Sequence, residues 1–399
     1  MKVLYVSTCC SNKAIDFLFK TAIEKPGLAI QKFHFLLIKG LILNDVFVQC
    51  LSCLPVTKRT HKKLFWNIKK EHDSTGAWHI KYIPFINQPA LKFLIYFVYS
   101  FFYTMYWSIK HRKDGVILCD VLNLPISFGA VIAGRLLGMK IGGIVTDIPG
   151  YMSFSKTHKK SYIKQLLDQL NLYMISLFTH YIPLTDSMCD IINKRKKPYV
   201  VIEGLVDIKM RSINPDPYRD GKKHITYCGS LYEKYGVKTF IDAFLKVENS
   251  TVVLDIYGPG EMEKDMPIYE QKDDRIKYHG VVTNIEAVKA QLSSYLLVNP
   301  RPTTEAFTQY SFPSKNVEYM VSGVPLLTTK LSGMPKEYYP NVFLFEEETV
   351  EAYAETIRCI LSQPIEKVHE MGNKGKSFVL KYKNNKIQAG KIIKLLEEK

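Results

Sequence analysis

Apolar residues along the chain fall into short runs that alternate with segments of helical periodicity. In the first half, "KVLYVS", "DVFVQC", "GVILCD", "KIGGIVTD", "HYIPLT" and "YVVIE" are predicted strands. In the second half, "HITYCG", "TVVLDIYG", "IKYHG", "YLLVNP" and "VPLLTT" are predicted strands. Strands that alternate with helices are typical of parallel sheets. The pattern therefore predicts an α/β protein with two doubly wound, Rossmann-like domains.

A polar segment without periodicity, residues 202–223, separates the two sets of strands and predicts a linker. The predicted domains are residues 1–202 and 203–380, followed by a C-terminal helix at 381–399 that packs back toward the first domain. Ligands of open α/β sheets bind beyond the carboxyl ends of the strands. The expected ligand site is therefore a cleft between the two domains at those ends.

One segment of the first half is apolar on every side. It is "FLIYFVYSFFYTMYW", residues 93–107, in which Ser100 and Thr104 are the polar breaks. A membrane-spanning helix needs about 20 apolar residues, so this run is too short. Helices that are apolar all round are usually buried, which favours a core helix of the first domain. The alternative is a helix that contacts a membrane surface through basic and aromatic anchors.

Net positive charge is confined to the first half of the chain. The total is +16, and residues 1–200 hold 27 Lys and Arg against 11 Asp and Glu, whereas the remaining residues hold 27 of each. Basic clusters lie at 57–70, 155–160 and 194–197. The asymmetry indicates an anionic partner for one domain, and we expect peripheral contact with an anionic membrane. A basic surface that is merely solvated is the plainer alternative.

The cysteines give no sign of a metal or disulfide framework. The pairs Cys9–Cys10 and Cys50-x-x-Cys53 lack the second half of a zinc pattern. The eight cysteines are therefore expected to be reduced, buried thiols of a cytosolic protein. The first residues, "MKVLYVSTCC", predict a strand and lack the long apolar run and cleavage site of a signal peptide. The expected location is the cytoplasm, extending to the inner face of the cell membrane.

The first candidate phosphate site follows the strand "KHITYCG". Gly229 ends this strand, and Ser230 and Lys234 lie in the loop that leads to a helix with one apolar stripe. A glycine loop before a helix N-terminus lets backbone N–H groups and the helix dipole bind phosphate. An ordinary strand-to-helix turn is the plainer interpretation. Arg301, in the polar loop after "YLLVNP", could also meet a phosphate, although a lone surface arginine is unremarkable.

Two further loops could border a nucleotide. Gly258, Pro259 and Gly260 end the strand "TVVLDIY" and form either a tight turn or a backbone wall against a nucleotide. The backbone of the loop at Val282 could read a base edge. His279, in the same segment, is expected to be a packed histidine, because the sequence shows no acid or base partner nearby.

The segment "SFPSKNVEYMVSGVPLL", residues 311–327, predicts a short helix before a buried strand. Pro313 suits a helix start, and Ser311 or Ser314 could cap it. Lys315 and Glu318 are three residues apart and lie on one face, where a surface ion pair would contribute a few tenths of a kcal/mol. Alternatively, Lys315 and the helix N-terminus bind a diphosphate while Glu318 accepts hydrogen bonds from two ribose hydroxyls.

The order of "GSLYEKYGV", "YGPG", "YHG", "FPSKNVEYM" and "GVPL" resembles the donor domain of glycosyltransferase family 4. Members of that family are retaining, metal-independent sugar transferases of the GT-B fold, in which two Rossmann-like domains face a cleft. The resemblance covers most of residues 115–360. Within the family, the chain most resembles capsule and exopolysaccharide transferases. Two positions depart from the family, because Ser230 and Tyr235 stand where it often has Arg and Lys.

The resemblance also implies site residues. Asp147, in "VTDIPGY", corresponds to an acceptor-domain loop and would face the acceptor. The family pairs two glutamates eight residues apart, but eight residues before Glu318 this chain has Tyr310. Glu305, in the preceding loop, could substitute for the missing acid. Together with Lys315, these acids form the predicted catalytic set.

The reaction that the resemblance implies is transfer of a sugar from a nucleotide sugar, expected to be a UDP-sugar, with retention at the anomeric carbon. The acceptor would be a glycan or a polyprenyl-diphosphate-linked glycan in cell-surface polysaccharide synthesis. Catalysis would stabilise the charge that grows on the diphosphate as the C–O bond breaks. No Asp-x-Asp lies near the expected diphosphate, so no metal cofactor is expected. Domain closure about residues 202–215 would exclude water.

Other functions remain open at this stage. A nucleotide-sugar 2-epimerase would share the two-domain architecture but would have no use for a basic, aromatic first half. A basic nucleic-acid-binding protein would need a helix-turn-helix or an aromatic RNA platform, and the sequence indicates neither. A dinucleotide dehydrogenase is disfavoured because G-x-G-x-x-G is absent.

Overall fold

The computed structural model describes residues 1–24, 29–68, 70–72, 78–150, 162–218 and 220–398. The chain divides into two compact units. Unit 1 comprises Met1–Leu205 and Asn385–Lys399, and unit 2 comprises Val206–Asn384. The boundary between the units therefore falls a few residues after the one predicted at 202. The predicted basic cluster at 155–160 lies outside the described residues.

Unit 1 contains a seven-stranded sheet in the order β4-β5-β2-β1-β7-β8-β9. All neighbouring strands are parallel except β4 and β5, and β3 and β6 form a separate antiparallel pair. The parallel strands follow the doubly wound order 3-2-1-4-5-6. The strands are β1 (Lys2–Ser7), β2 (Phe47–Ser52), β3 (Phe65–Trp66), β4 (Glu71–His72), β5 (Trp78–Tyr82), β6 (Phe85–Ile86), β7 (Gly115–Asp120), β8 (Lys140–Val145) and β9 (His180–Pro183).

Helices connect the strands of this sheet and pack on its faces. The contact between the third and fourth helices is especially close, because a side chain at Gly129 would lie 2.4 Å from the carbonyl oxygen of Phe97. The helices before the second unit are α1 (Asn12–Thr21), α2 (Ala29–Ile42), α3 (Pro89–Lys110), α4 (Leu124–Leu136), α5 (Tyr162–Ser176) and α6 (Met188–Ile192).

Unit 2 contains a six-stranded, fully parallel sheet in the order β12-β11-β10-β13-β14-β15, which repeats the 3-2-1-4-5-6 pattern. Its strands are β10 (Lys223–Cys228), β11 (Val252–Tyr257), β12 (Ile276–Tyr278), β13 (Leu296–Asn299), β14 (Leu326–Thr328) and β15 (Phe343–Leu344). Its helices are α7 (Val237–Phe244), α8 (Met266–Lys272), α9 (Asn284–Ser293), α10 (Ser314–Ser322), α11 (Val350–Ser362) and α12 (Ile365–Tyr382). The predicted α/β, GT-B class of two Rossmann-like units is confirmed.

The last helix, α13 (Asn385–Glu397), returns to unit 1. It packs on α2 so closely that a side chain at Gly40 would lie 2.1 Å from the carbonyl oxygen of Asn385. The ammonium of Lys140, at the start of β8, donates to the carbonyl oxygens of Leu396 and Glu398 at 2.8 and 2.7 Å. Unit 1 is therefore built from two separate stretches of the chain.

The sequence pattern missed some elements and added one. The short strands β3, β4, β6 and β15 escaped prediction because two residues carry no periodicity. The predicted strand "YVVIE" is wrong, since Tyr199 makes only an isolated bridge to Tyr181 beside β9. Two hydrogen bonds, from the N–H groups of Val200 and Ile202, hold this segment along the sheet edge without extending the ladder.

The eight cysteines are unpaired, as expected, and six are buried. The expectation of burial is wrong for Cys359, which is exposed, and for Cys189, which is half-buried. Burial raises the pKa of the Cys9 and Cys50 thiols well above the usual value, so these thiols are protonated and unreactive at neutral pH.

Helix α3 is longer than the apolar run that predicted it, and it is not a core helix. Ser100 and Thr104 are buried, whereas Phe102 and Tyr106 are each 66% exposed. The expectation of an all-round buried helix is therefore wrong, because one face packs on α4 and the other does not. Among the described residues, the helices are too short or too polar for any of them to cross a bilayer.

Candidate functional site

In unit 2 the strand order reverses between β10 and β13, and this is where doubly wound sheets bind ligands. The loops that follow these strands touch each other at the carboxyl edge. Gly236 adopts a left-handed φ of 75°, and a side chain there would lie 2.0 Å from the carbonyl oxygen of Pro300. Glycine is therefore needed at this position both for its conformation and for its close contact.

Helix α10 is fixed to this edge by buried hydrogen bonds. The Tyr319 hydroxyl accepts from the N–H of Cys228 and donates to its carbonyl, each at 2.9 Å. The Asn299 side chain donates to the amide oxygen of Asn316 at 2.7 Å, and the Asn316 amide donates to Thr328 at 3.5 Å. These bonds tie the first turns of α10 to the ends of β10, β13 and β14.

The predicted ligand residues of α10 lie on the turn that these bonds hold. Lys315 and Glu318 are half-buried and Ser314 is exposed. Burial raises the pKa of the Cys228 thiol to about 11, with the nearby Lys315 charge opposing the shift and Glu318 adding to it. Both charges therefore lie close to the carboxyl end of β10.

The N-terminus of α10 differs from the prediction. Pro313 occupies the cap position and no side chain caps the helix, so the expected cap by Ser311 or Ser314 is wrong. The Ser311 hydroxyl is buried and has no hydrogen-bond partner among the described residues. Pro313 cannot supply a cap because its side chain has no acceptor. The first backbone N–H groups of α10 are consequently open to an anion.

The glycine loops after β10 and β11 pack directly against each other. A side chain at Gly258, whose φ is 125°, would lie 2.0 Å from the carbonyl oxygen of Gly229. A side chain at Gly260 would lie 2.3 Å from the carbonyl oxygen of Leu231, and the Leu231 N–H donates to Pro259 at 2.7 Å. Packing between the two loops thus explains these glycines without a ligand. It leaves their predicted role as a wall against a nucleotide untested.

Arg301 is the most unusual cation of unit 2. Its guanidinium lies 4.7 Å from the ring centre of Tyr235 and 5.6 Å from that of Phe307. Its Nε is buried and has no hydrogen-bond partner among the described residues. Burial lowers the pKa of Arg301. Arg301 is half-buried and has no carboxylate partner among the described residues, which is costly for a cation and is typical of a site that receives an anion.

Lys234 lies near Arg301. Its ammonium is 5.4 Å from the ring centre of Tyr232 and 5.6 Å from that of Tyr235. Burial lowers the pKa of Lys234, and the Arg301 charge lowers it further, while Glu261 and Glu305 act in the opposite direction. The predicted residues Lys234, Arg301 and Glu305 therefore share one electrostatic environment at the carboxyl edge of the sheet.

A second polar network in unit 2 was not expected from the sequence. Asp255, in the middle of β11, accepts from His224 at 2.5 Å and from His279 at 2.6 Å. His279 also stacks on Tyr257, with ring centres 4.4 Å apart. The stated reason for regarding His279 as a packing residue is wrong, because Asp255 is a close acid partner. Val282 is half-buried in the loop that follows.

Unit 1 has its own cavity at the equivalent position, beyond the carboxyl ends of β1, β2 and β7. Its volume is about 560 Å³, and polar side chains such as Gln31 and Asn123 alternate with apolar ones such as Phe93. Lys92 lines it as well, donating to the carbonyl of Val56 with its ammonium 4.8 Å from the ring centre of Phe85. Among the described residues, no carboxylate pairs with Lys92.

A buried network that was not expected from the sequence adjoins this cavity through Asn123. The Tyr5 hydroxyl and His34 Nδ1 are 2.7 Å apart, and His34 Nε2 lies 3.4 Å from Asp120. The Asn123 amide donates to the same carboxylate at 2.5 Å. Tyr5, His34 and Asp120 come from three separate elements, β1, α2 and the end of β7, and β1 and β7 are neighbours in the sheet.

Asp147, the predicted acceptor residue, follows β8 and is not part of the cavity lining. It is half-buried, and its carboxylate accepts from the N–H of Ile148 at 2.7 Å. Burial raises the pKa of Asp147 to about 6, although that hydrogen bond opposes the shift. The preceding Thr146 hydroxyl is buried with no partner among the described residues. Tyr151, from the same motif, lies outside the described residues.

Nothing in the described part of the chain groups three His, Cys, Asp or Glu side chains as a metal site would. The expectation that the protein needs no metal stays a prediction.

Residues 222–363 match the sequence model of the family described as glycosyl transferases group 1. The suspected glycosyltransferase resemblance is thereby confirmed. The matched residues include both glycine loops, Arg301 and the first turn of α10. No curated protein matches the sequence.

Solved structures of glycosyltransferases share the fold over the whole chain. Sucrose-phosphate synthase from Thermosynechococcus elongatus is 13% identical, with a TM-score of 0.66. The match covers 99% of this chain and 98% of the synthase chain. Anabaena HepE in complex with UDP and glucose is 14% identical, with a TM-score of 0.61 and coverage of 99% of both chains. The lipopolysaccharide outer core galactosyltransferase WaaB is 15% identical, with a TM-score of 0.60 and coverage of 99% of both chains. At these identities the likeness shows the fold.

Proposed function

We propose that the protein is a retaining, metal-independent glycosyltransferase that uses a UDP-sugar as donor. The observation that carries the proposal is the set of charges around the carboxyl ends of β10 and β13. Lys234 and Arg301 lie together after these strands, and Lys315 and Glu318 lie on the anchored first turn of α10. Three cations around one edge, with a single carboxylate on the helix, suit a nucleoside diphosphate.

Each group has a distinct role in this proposal. Lys315 and the uncapped N-terminus of α10 bind the diphosphate, and Arg301 binds it from the opposite loop with its unpaired Nε. Glu318 accepts hydrogen bonds from the two ribose hydroxyls. As the glycosidic bond breaks, negative charge grows on the diphosphate and the preorganised cations stabilise it. Glu305, on the loop beside Lys234, takes the place of the acid that Tyr310 replaces and orients the donor sugar.

The acceptor is proposed to bind to unit 1. The cavity there combines apolar walls with one cation, Lys92, that has no carboxylate partner among the described residues. This combination suits a polyprenyl-diphosphate-linked glycan, in which an anion adjoins a hydrocarbon. Asp147 would accept a hydrogen bond from the acceptor hydroxyl once it is ionised. A role in cell-surface polysaccharide synthesis, on the inner face of an anionic membrane, agrees with that acceptor and with the fold shared with WaaB, a lipopolysaccharide outer core galactosyltransferase.

The donor is tested by calorimetry with UDP and GDP, each with and without Mg²⁺. Tight binding of UDP that is unchanged by Mg²⁺ is expected. Glu318→Ala should weaken UDP binding by about tenfold, the equivalent of ~1.4 kcal/mol, and should weaken the binding of 2′-deoxy-UDP, which keeps only the 3′-hydroxyl, clearly less. The matched control is Glu366→Ala, on the exposed side of α12. Equal losses for UDP and 2′-deoxy-UDP would contradict the ribose contact.

The reaction is tested by incubating the protein with UDP-sugars and lipid-linked acceptors. Release of UDP that depends on the acceptor is expected, and proton NMR of the product should show the anomeric configuration of the donor. An epimerase would instead release UDP or a free epimer without any acceptor. That result would replace the proposal with its main alternative.

A further inference from the structure

The polarity of α3 is reversed relative to an ordinary surface helix. Such helices turn an apolar stripe inward and polar residues outward. In α3 the inward face includes three small polar residues, and the outward face is apolar along the whole helix. The buried residues are Tyr96, Ser100, Thr104, Trp107 and Ser108. The exposed residues are Leu91, Leu94, Val98, Phe102, Tyr106 and Ile109.

Close packing on α4 explains the inward face. The backbone of Phe97 lies so near Gly129 that any side chain there would clash, and the Ser100 hydroxyl donates to the carbonyl of Ile126 at 2.6 Å. Small side chains allow this approach, and their hydroxyls are shielded from water. Nothing in this packing requires apolar residues on the outward face, so the stripe needs another explanation.

The outward stripe is long and continuous. Helix α3 has 22 residues, so at about 1.5 Å per residue the stripe extends for roughly 33 Å. Ile95, Tyr99 and Tyr103 widen it into an open apolar groove of about 550 Å³. Contiguous exposed apolar surface of this kind marks an interaction site.

Positive charge follows the C-terminal end of the stripe. Lys110, Arg112 and Lys113 are exposed there, and the sequence has no Asp or Glu from Pro89 to Lys113. Long basic side chains at the end of an apolar helix can reach the phosphate groups of lipids while the helix lies among the acyl chains.

The N-terminal end of the stripe carries a second basic group. The ring of Tyr96 contacts Phe85, which stacks on Trp66 with ring centres 6.1 Å apart. This stack holds the β3–β6 pair beside α3. Next to Trp66, Leu64 and Phe65 are exposed, and Lys62 and Lys63 precede them. Cations and aromatic residues therefore lie near both ends of α3.

We infer that unit 1 docks on an anionic lipid bilayer through this surface, with α3 lying in the plane of the headgroups. The bilayer surface consists of the exposed stripe of α3, the tip at residues 62–65 and the cations at 110–113. An apolar stripe between basic ends matches a bilayer with anionic headgroups better than a protein partner, because both components of the membrane are then satisfied. The inference deepens the proposed function, which puts the protein at an anionic membrane, by naming the surface that docks; docking itself requires neither a donor sugar nor transfer.

The test uses the full chain with sedimented phosphatidylcholine vesicles that contain or lack phosphatidylglycerol. Binding is expected only with phosphatidylglycerol, and it should fall as salt rises. Lys110→Gln and Lys113→Gln should each weaken binding by about fivefold. The triple variant Leu94→Ser, Val98→Ser, Phe102→Ser should abolish binding with the thermal unfolding midpoint unchanged. The matched control is Ile268→Ser, Ile285→Ser, which removes exposed apolar residues of unit 2.

A second readout reports the depth of the helix. Phe102→Trp should give an indole emission that shifts to the blue on addition of anionic vesicles, whereas Ile285→Trp should not shift. Equal vesicle binding by the triple variant and the wild type would overturn the inference. So would a concentration-dependent dimer, measured by light scattering, that the triple variant abolishes. UDP binding in the same samples separates loss of docking from failure of the donor site.

Discussion

The hydroxyl of Tyr319 makes both hydrogen bonds that the backbone of Cys228 offers, accepting from its N–H and donating to its carbonyl at 2.9 Å. Residue 228 is the last of β10, and Tyr319 follows Glu318 in α10. The side chain that anchors the helix thus adjoins the side chain proposed to bind ribose. Stability of the fold and geometry of the site depend on the same residue.

Tyr319→Phe should lower the free energy of unfolding by about 2 kcal/mol, because it leaves a buried N–H and a buried carbonyl without partners. UDP affinity should fall as well, since α10 loses its anchor at the β10 end. Denaturant titration and calorimetry measure the two effects. Tyr295→Phe is the matched control: the Tyr295 hydroxyl is buried but has no partner among the described residues, so its removal should cost almost nothing.

Arg301→Met should leave the free energy of unfolding unchanged or raise it, because Nε of this half-buried side chain is buried with no hydrogen-bond partner among the described residues. It should weaken UDP binding by about tenfold and leave the binding of uridine unaffected, since the lost interaction is with phosphate. Arg275→Met provides the contrast. Arg275 donates to Asp273 and to the carbonyls of Val247 and Asn249, so its loss should destabilise unit 2 strongly. Strong destabilisation by Arg301→Met would contradict this account.

Asp147→Asn should stabilise the protein at neutral pH and abolish or greatly reduce transfer. Burial raises the pKa of Asp147 to about 6, so its contribution to stability is fully present below pH ~4 and is lost as the pH rises through 6. At pH 8 the gain should be at most about 2 kcal/mol, because the half-buried carboxylate is partly screened by water. Unfolding free energies of both proteins at pH 4 and pH 8 test the sign. Equal values for the two proteins at pH 8 would refute it.

Asp255→Asn should make the stability of unit 2 depend less on pH. Burial opposes both shifts, yet hydrogen bonds from His224 and His279 lower the pKa of Asp255, and bonds to Asp255 and Asp220 raise that of His224. The Asp255 contribution is lost as the pH falls through its lowered pKa, and the His224 contribution is lost as the pH rises through its raised pKa. The network is therefore strongest at mildly acidic pH.

Removing the Asp255 carboxylate should cost about 2 kcal/mol near pH 5 and less at pH 8, because the buried His224 keeps only Asp220 as a partner and the exposed His279 loses its bond to Asp255. Denaturant titrations at the two pH values give the comparison. Asp216→Asn, at an exposed position in the same unit, is the control and should change neither value. A cost that is the same at both pH values would indicate that Asp255 stabilises unit 2 through its packing rather than through its charge.

Much of unit 2 could be predicted because its strands are short apolar runs that end in glycine or proline. The loops at Gly229 and Gly258 were placed correctly for this reason. Their mutual contact could not be predicted, since it depends on β10 and β11 being neighbours in one register. The same limit concealed the partner of His279, because Asp255 is 24 residues away in the chain and adjacent only across the sheet.

Unit 1 was harder to predict, for a different physical reason. An apolar run without a polar face predicts burial but cannot reveal which face packs. In α3 the answer depends on the close approach of Gly129, a residue outside the run. The proposed acceptor cavity was equally hidden, because its lining comes from five separate segments of the chain that meet only at the strand ends.

The return of α13 to unit 1 affects the order in which the two units can fold during synthesis. Val206 and Asn384, the first and last residues of unit 2, form an isolated parallel bridge. Unit 2 is thus a complete loop of chain whose two ends emerge side by side, and it can fold as soon as the ribosome releases it. Synthesis of unit 1 begins before that of unit 2 but is completed after it, because α13, which packs on α2, is the last helix to be made. A chain that ends before α13 would therefore have a folded unit 2, while the surface of α2 that α13 covers would remain exposed. Chaperones and proteases would encounter the chain in this form.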